Sequence, residues 1–206
     1  MELDKMYLAM TDFAKFMEII SVVVVGILGV GFGIIKFIGG KPRKDNFIEI
    51  HTEIHELLTE LRVVTKAMRA SIIQFHNGEY TMDGISMRKF SVTHESTHKG
   101  YTSQVMKLKG NLCSMYIPLL TKIVENRSTV HYTSVLPESY VRGFFEDENV
   151  SQYACLPLKN KGANVGFVLV QWHDDFQLPE EQHEKATKDF ESIRGSLEMQ
   201  LSQQKN

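Results

Sequence analysis

SQYACLPLKNKGANVGFVLVQW, residues 151–172, decides how the soluble part of this chain folds. Its two halves, 151–158 and 164–172, are short apolar runs, and Lys159-Asn160-Lys161-Gly162-Ala163 between them is polar and contains a glycine. Two such runs joined by a short glycine-bearing loop predict a β-hairpin. After the hairpin comes Pro179-Glu180-Glu181. Proline lacks the N–H that a first helical turn leaves unbonded, and carboxylates favour the positive end of the helix dipole, so a helix starts there. Along it Ala186, Phe190, Ile193, Leu197 and Leu201 recur every three or four residues, which predicts one buried stripe.

Upstream, residues 129–133 read as a third strand and 137–146 as a short helix carrying Tyr140, Phe144 and Phe145. Helical stretches are expected around 103–109 and 118–126. Residues 70–76, ASIIQFH, form a compact apolar run that stops at the turn pair Asn77-Gly78. Residues 88–94 alternate, with Phe90 and Val92 on one face and Lys89, Ser91 and Thr93 on the other. The order is helix, two strands, helices, strand, helix, hairpin, helix. That pattern predicts an α+β domain over 70–204, one antiparallel sheet with flanking helices.

Ahead of the domain, residues 45–69 predict a stalk helix. Phe47, Ile50, Ile54, Leu57, Leu61, Val64 and Met68 alternate at spacings of three and four, the seam of a parallel coiled-coil dimer. The same spacing suits an amphipathic helix lying on its own domain. Gly39-Gly40-Lys41-Pro42 separates this helix from what precedes it.

Residues 19–35, IISVVVVGILGVGFGII, are apolar on every helical face. With Phe16, Met17, Phe37 and Ile38, and with Lys36 reaching the interface, they make a transmembrane helix over 16–38. The short segment 1–15 is too acidic for the basic start of a signal peptide, with Glu2, Asp4 and Asp12 against Lys5 and Lys15, and no small-residue cleavage site follows. Lys36, Lys41, Arg43 and Lys44 cluster on the C-terminal side, so the positive-inside rule places the domain in the cytoplasm and the chain in the inner membrane, single-pass. Gly29 and Gly33, four apart, would let two spans approach closely, as a homodimer or higher homo-oligomer requires.

The element order, the CLPL of Cys155, Leu156, Pro157 and Leu158, the turn after it and the VGFVLVQW strand resemble a GAF-like domain over about 61–201. Long leading and trailing helices fit that resemblance. The segment 74–95, QFHNGEYTMDGISMRKFSVTHE, is similar to uncharacterised bacteriophage-encoded proteins. GAF-like domains bind small molecules or mediate dimerisation, in a cleft between the sheet and the middle helices. The resemblance therefore implies a ligand site drawing on Phe90, Tyr101, Met106, Tyr116 and Tyr132, with His76 and His94 as polar members.

Catalysis is not expected. The chain has no G-x-S-x-G elbow, no phosphate-binding glycine loop and no Cys/His motif with a supporting carboxylate. Cys113 and Cys155 are far apart and read as two buried thiols. His76, His94, Glu95 and His98 are zinc-compatible residue types in no established zinc spacing, so no metal and no cofactor are expected. A net charge of −2 argues against nucleic acid as a partner. The leading reading is a membrane-anchored sensory or regulatory module, acting on a small molecule or a regulatory protein. The alternatives are a holin-like lysis protein, with one span and a regulatory domain facing outward, and a membrane scaffold without a ligand.

Overall fold

The computed structural model describes residues 47–80, 82–84, 87–125 and 129–203. The N-terminal segment 1–15, the span expected at 16–38 and the first residues of the expected stalk lie outside the described residues. Among those described, no helix is long and apolar enough to cross a membrane.

The domain is built on a six-stranded sheet. In chain order its strands are β1 Arg69–His76, β2 Lys89–Thr97, β3 Asn111–Leu112, β4 Val130–Tyr132, β5 Val150–Asn160 and β6 Ala163–His173. They pair antiparallel in the order β3-β2-β1-β6-β5-β4. The hairpin read from 151–172 is present, with a tighter turn than expected. Its strands run on to pair Asn160 with Ala163, leaving only Lys161 and Gly162 to turn, at φ 50° and 80°. Two positive φ values in a two-residue loop match the twist of the flanking strands.

Both faces of the sheet are covered, so the central strands are buried on both sides. On one face lie α1, Phe47–Val64, and α4, Glu180–Gln203. Ile54, Leu58 and Leu61 of α1 and Ala186, Phe190, Ile193, Leu197 and Leu201 of α4 pack on Ala70, Ile72, Leu156, Val168, Val170 and Trp172. The opposite face carries α2, Ile117–Val124, and α3, Tyr140–Asp147, over Ile73, Phe90, Val92, Tyr153, Phe167 and Leu169.

Two expectations are corrected here. The seam of α1 is satisfied inside the protomer: Ile54 and Leu61 are wholly buried in the chain's own core, and Ile50 and Leu57 pack against it. The helix stops at Val64, Met68 is buried toward the opposite face, and Phe47 and Val64 are exposed. Three heptads of a/d spacing describe a helix on a sheet as well as a helix on its twin, and the sheet is the partner that the geometry supplies. The second correction concerns 103–109, which forms turns rather than a helix. There the Gln104 backbone N–H donates to the Glu95 carboxylate and the Val105 N–H to Ser103 Oγ, so side chains claim the groups that would start a helix.

α1 ends in an unusual cap. Lys66 N–H donates to the Val63 carbonyl and Ala67 N–H to the Arg62 carbonyl, the paired bonds of a Schellman motif. The left-handed residue of that motif is usually glycine, and here it is Lys66 at φ 55°. The turn is tied to the core by the indole N–H of Trp172, which donates to the Thr65 carbonyl at 2.9 Å.

Candidate functional site

The seven residues expected to line one cleft are spread over the domain. Phe90 and Tyr116 are core residues, stacked edge-on at 4.8 Å, with Phe167 beside Phe90. Together with Phe145 and Tyr153 they pack in the core on the face where the cleft was expected, and the cavity left there, about 370 Å³ between α2, His131 and Tyr153, is lined by none of the seven. Met106 is 76% exposed. Tyr132 sits on the far edge strand, four strands or about 19 Å from β2, and donates to Glu180. His76 is exposed at the end of β1, hydrogen-bonded to Ser91.

His94 lies on the opposite face from Phe90, for a register reason. Ile72 pairs with His94 but Ile73 pairs with Val92, so Thr93 is an extra residue in β2. A bulge of this kind reverses which side chains point to which face. Phe90 and Val92 therefore face α2 and α3, whereas His94 and Ser96 face α1. His94 Nε2 shares a 2.6 Å hydrogen bond with His51 Nδ1 on α1. Burial first, then nearby His51 and His55, pushes the His94 pKa down to about 4. Ser96 Oγ bonds Thr59 Oγ1 and accepts from Arg62 Nε. No group of three or more His, Cys, Asp or Glu side chains among the described residues is placed to hold a metal ion.

The bulge also turns Glu95 to the other face, into a buried polar network centred on Arg69. Arg69 Nη1 donates to Gln171 at 2.9 Å and Nη2 to the Thr102 carbonyl at 2.5 Å. Its guanidinium lies 3.6 Å from Glu95 and 3.7 Å from Glu148. Burial pushes the Arg69 pKa down, and the two carboxylates oppose that. Gln104 donates through its side-chain amide to Glu148, and Lys107 pairs with the same carboxylate. Burial works against the charge on Glu148, but hydrogen bonds from Lys107 and Gln104, with Arg69 nearby, hold its pKa below the ordinary range. Arg69 Nε, within ion-pairing but not hydrogen-bonding distance of Glu95, has no hydrogen-bond partner, nor do Gln104 Oε1 and Gln171 Nε2. The network fastens the segment after β2, from His98 to Gly110, to the sheet.

That fastened segment forms one wall of a groove of about 510 Å³. The opposite wall is the end of α1 and its cap: Arg62, Val63, Lys66, Ala67 and Met68. His98 and Tyr101 come from the segment after β2, and Phe176 from the 3₁₀ turn after β6. Val63 is 59% exposed and Phe176 67% exposed, so the groove has apolar rims as well as cations. Tyr101 is the one residue of the expected seven that lines it. Arg62, Lys66 and Phe176 were not singled out in the sequence; the signal for the first two was Val63, an apolar residue off the α1 stripe between two cations, and Phe176 had none.

The sequence matches no protein-family model and no curated protein. Several solved structures have the same architecture. The GAF domain region of a Geobacter sulfurreducens PCA protein aligns at a TM-score of 0.52 and 17% identity, over 76% of this chain and 95% of that one. The blue-light absorbing form of the PixJ GAF domain from Thermosynechococcus elongatus aligns at 0.51 and 11%, over 77% and 90%. The photoproduct state of GAF3 from Slr1393 of Synechocystis sp. PCC6803 aligns at 0.54 and 11%, over 76% and 95%.

Proposed function

We propose that this chain, which has the GAF-domain fold, is a membrane-anchored regulatory module that works by binding rather than by catalysis. Its signal is the occupancy of the groove at the end of α1. The supporting observation is that one helical turn serves both sides of such a device. Arg62, Val63, Lys66 and Ala67 line the groove, while Thr65 between them holds the indole of Trp172 in the core. An occupant of the groove therefore changes how α1 sits on the sheet. In sequence, α1 follows the apolar run at 16–38, which we read as the anchor.

Binding fits the side chains better than chemistry does. Burial raises the pKa of both thiols, Cys155 and Cys113, which is the opposite of what activates a nucleophile. Because Ile54 and Leu61 are used inside the protomer, association of copies falls in this reading to the glycine-bearing span, with Gly29 and Gly33, and not to α1.

The test is membrane fractionation of the full chain, with a reporter fused after Asn206. The proposal expects the chain in the inner membrane and the reporter in the cytoplasm. A soluble chain would refute the anchor. A periplasmic reporter would refute the cytoplasmic placement and turn attention to a lysis function.

A further inference from the structure

We infer that the groove at the end of α1 is a site for a small amphipathic organic anion, an aryl or alkyl carboxylate. This deepens the proposed function and rests on it for the signalling role, though not for the binding itself. The volume of about 510 Å³ lies in the range of small-molecule pockets. Val63, Met68, Tyr101 and Phe176 supply an apolar lining, two of them exposed although they are large and hydrophobic. An occupant with an apolar body would cover both.

Beside the polar groups of His98 and Tyr101, the charged part of the lining is cationic, Arg62 and Lys66. Arg62 spends only its Nε, on Ser96 Oγ, and among the described residues neither Arg62 nor Lys66 has a carboxylate within ion-pairing distance. Of the acidic residues beside Phe176, Asp174 accepts from Gln177 and Asp175 donates its backbone N–H to His173 Nδ1, and neither carboxylate is within ion-pairing distance of Arg62 or Lys66. Two unneutralised cations over an apolar floor select a ligand with one negative head and an uncharged body. A nucleic acid would need a broader basic face, and a cation would be repelled.

Lys66 carries the argument furthest. It occupies the left-handed position of the helix cap, at φ 55°, where a β-carbon is strained and glycine is not. At a helix cap that glycine would fill with less strain, the side chain kept at 66 lines the groove. A glycine at 66 would make the fold more stable and the groove less cationic. The two consequences have opposite signs, which separates a binding role from a structural one.

The experiment uses the full chain in phosphatidylcholine nanodiscs, titrated calorimetrically with phenylbutanoate, phenylbutanol and phenylbutylammonium, with empty nanodiscs subtracted. Phenylbutanoate is expected to saturate with a dissociation constant on the order of millimolar, what a fragment of its size reaches. The alcohol and the ammonium should bind about tenfold more weakly or not at all. Lys66→Gly and Arg62→Gln should each weaken the carboxylate about three- to tenfold and leave the alcohol unchanged. Lys66→Gly should do so while raising the unfolding temperature, so the loss is not a loss of fold. Equal binding of acid and alcohol, an unchanged affinity in Lys66→Gly, or no saturable binding of the acid would each overturn the assignment. Emission from Trp172, the chain's one tryptophan, is read in the same titration. Saturable acid binding with no change in that emission would uphold the site and overturn the signalling role.

Discussion

Acidification tests the contact between α1 and β2. Folding holds His94 neutral, with a pKa of about 4 against about 6.5 in an unfolded chain. The folded state thus binds fewer protons than the unfolded state between those values. Stability from this group is complete above about pH 6.5 and falls as pH drops toward 4. At pH 4.5 the unscreened difference is about 2.5 kcal/mol. The ring is only partly buried, so solvent screening reduces the expected loss to about 1–1.5 kcal/mol. With a urea slope of about 2 kcal/mol/M, the midpoint should fall by about 0.6 M through His94 alone. The assay is urea unfolding followed by Trp172 emission at pH 7 and pH 4.5, for the parent and for His94→Gln. His131, whose pKa is also lowered by burial, and the acid-sensitive pairs of Glu148 contribute equally to both proteins and cancel in the comparison. The variant should lose about 0.6 M less than the parent. Equal losses would show that His94 is not held neutral against His51 in the folded protein.

Three further outcomes follow from the packing. Arg69→Met leaves Glu95 and Glu148 without their shared guanidinium and should cost about 3–5 kcal/mol in a thermal melt. Trypsin should then cut faster at Lys99, Lys107 and Lys109, and adding Glu95→Gln should restore part of the stability. Leu61→Ala should cost about 2–5 kcal/mol, and Ile54→Glu should abolish cooperative unfolding rather than release monomers, as circular dichroism and sedimentation together would show. Lys66→Gly should raise the melting temperature by about 2–4 °C, measured by calorimetry.

The parts of this fold that were legible in the sequence are those set by hydrophobic period and turn chemistry. The hairpin of β5 and β6, the five buried residues of α4 and the existence of β1, β2 and β4 follow from local patterns that the tertiary structure leaves intact. What was not legible depends on pairings distant in sequence. The bulge at Thr93 appears only once β1 and β2 are in register, and it sends His94 to α1 and Glu95 to Arg69. The segment after β2 carries residues that would tolerate a helix, but Glu95 and Arg69 claim its backbone groups. The stripe of α1 was visible, whereas its partner was not, because a sheet and a second helix ask for the same spacing. Phe90 and Tyr116 were misplaced in a cleft because large aromatics on a strand and a helix read alike whether they line a cavity or pack in the core, and the groove was missed because its left-handed lysine has no signature in sequence.

Hydrogen exchange on the full chain in nanodiscs tests most directly the claim that α1 belongs to the domain and relays the state of its groove. If α1 is a core element, the amides of residues 54–64 exchange as slowly as those of β1 and β6, and saturating phenylbutanoate changes the rates in its last turn. Rates in α1 that are orders of magnitude faster than in those strands would make it a free stalk and contradict the account.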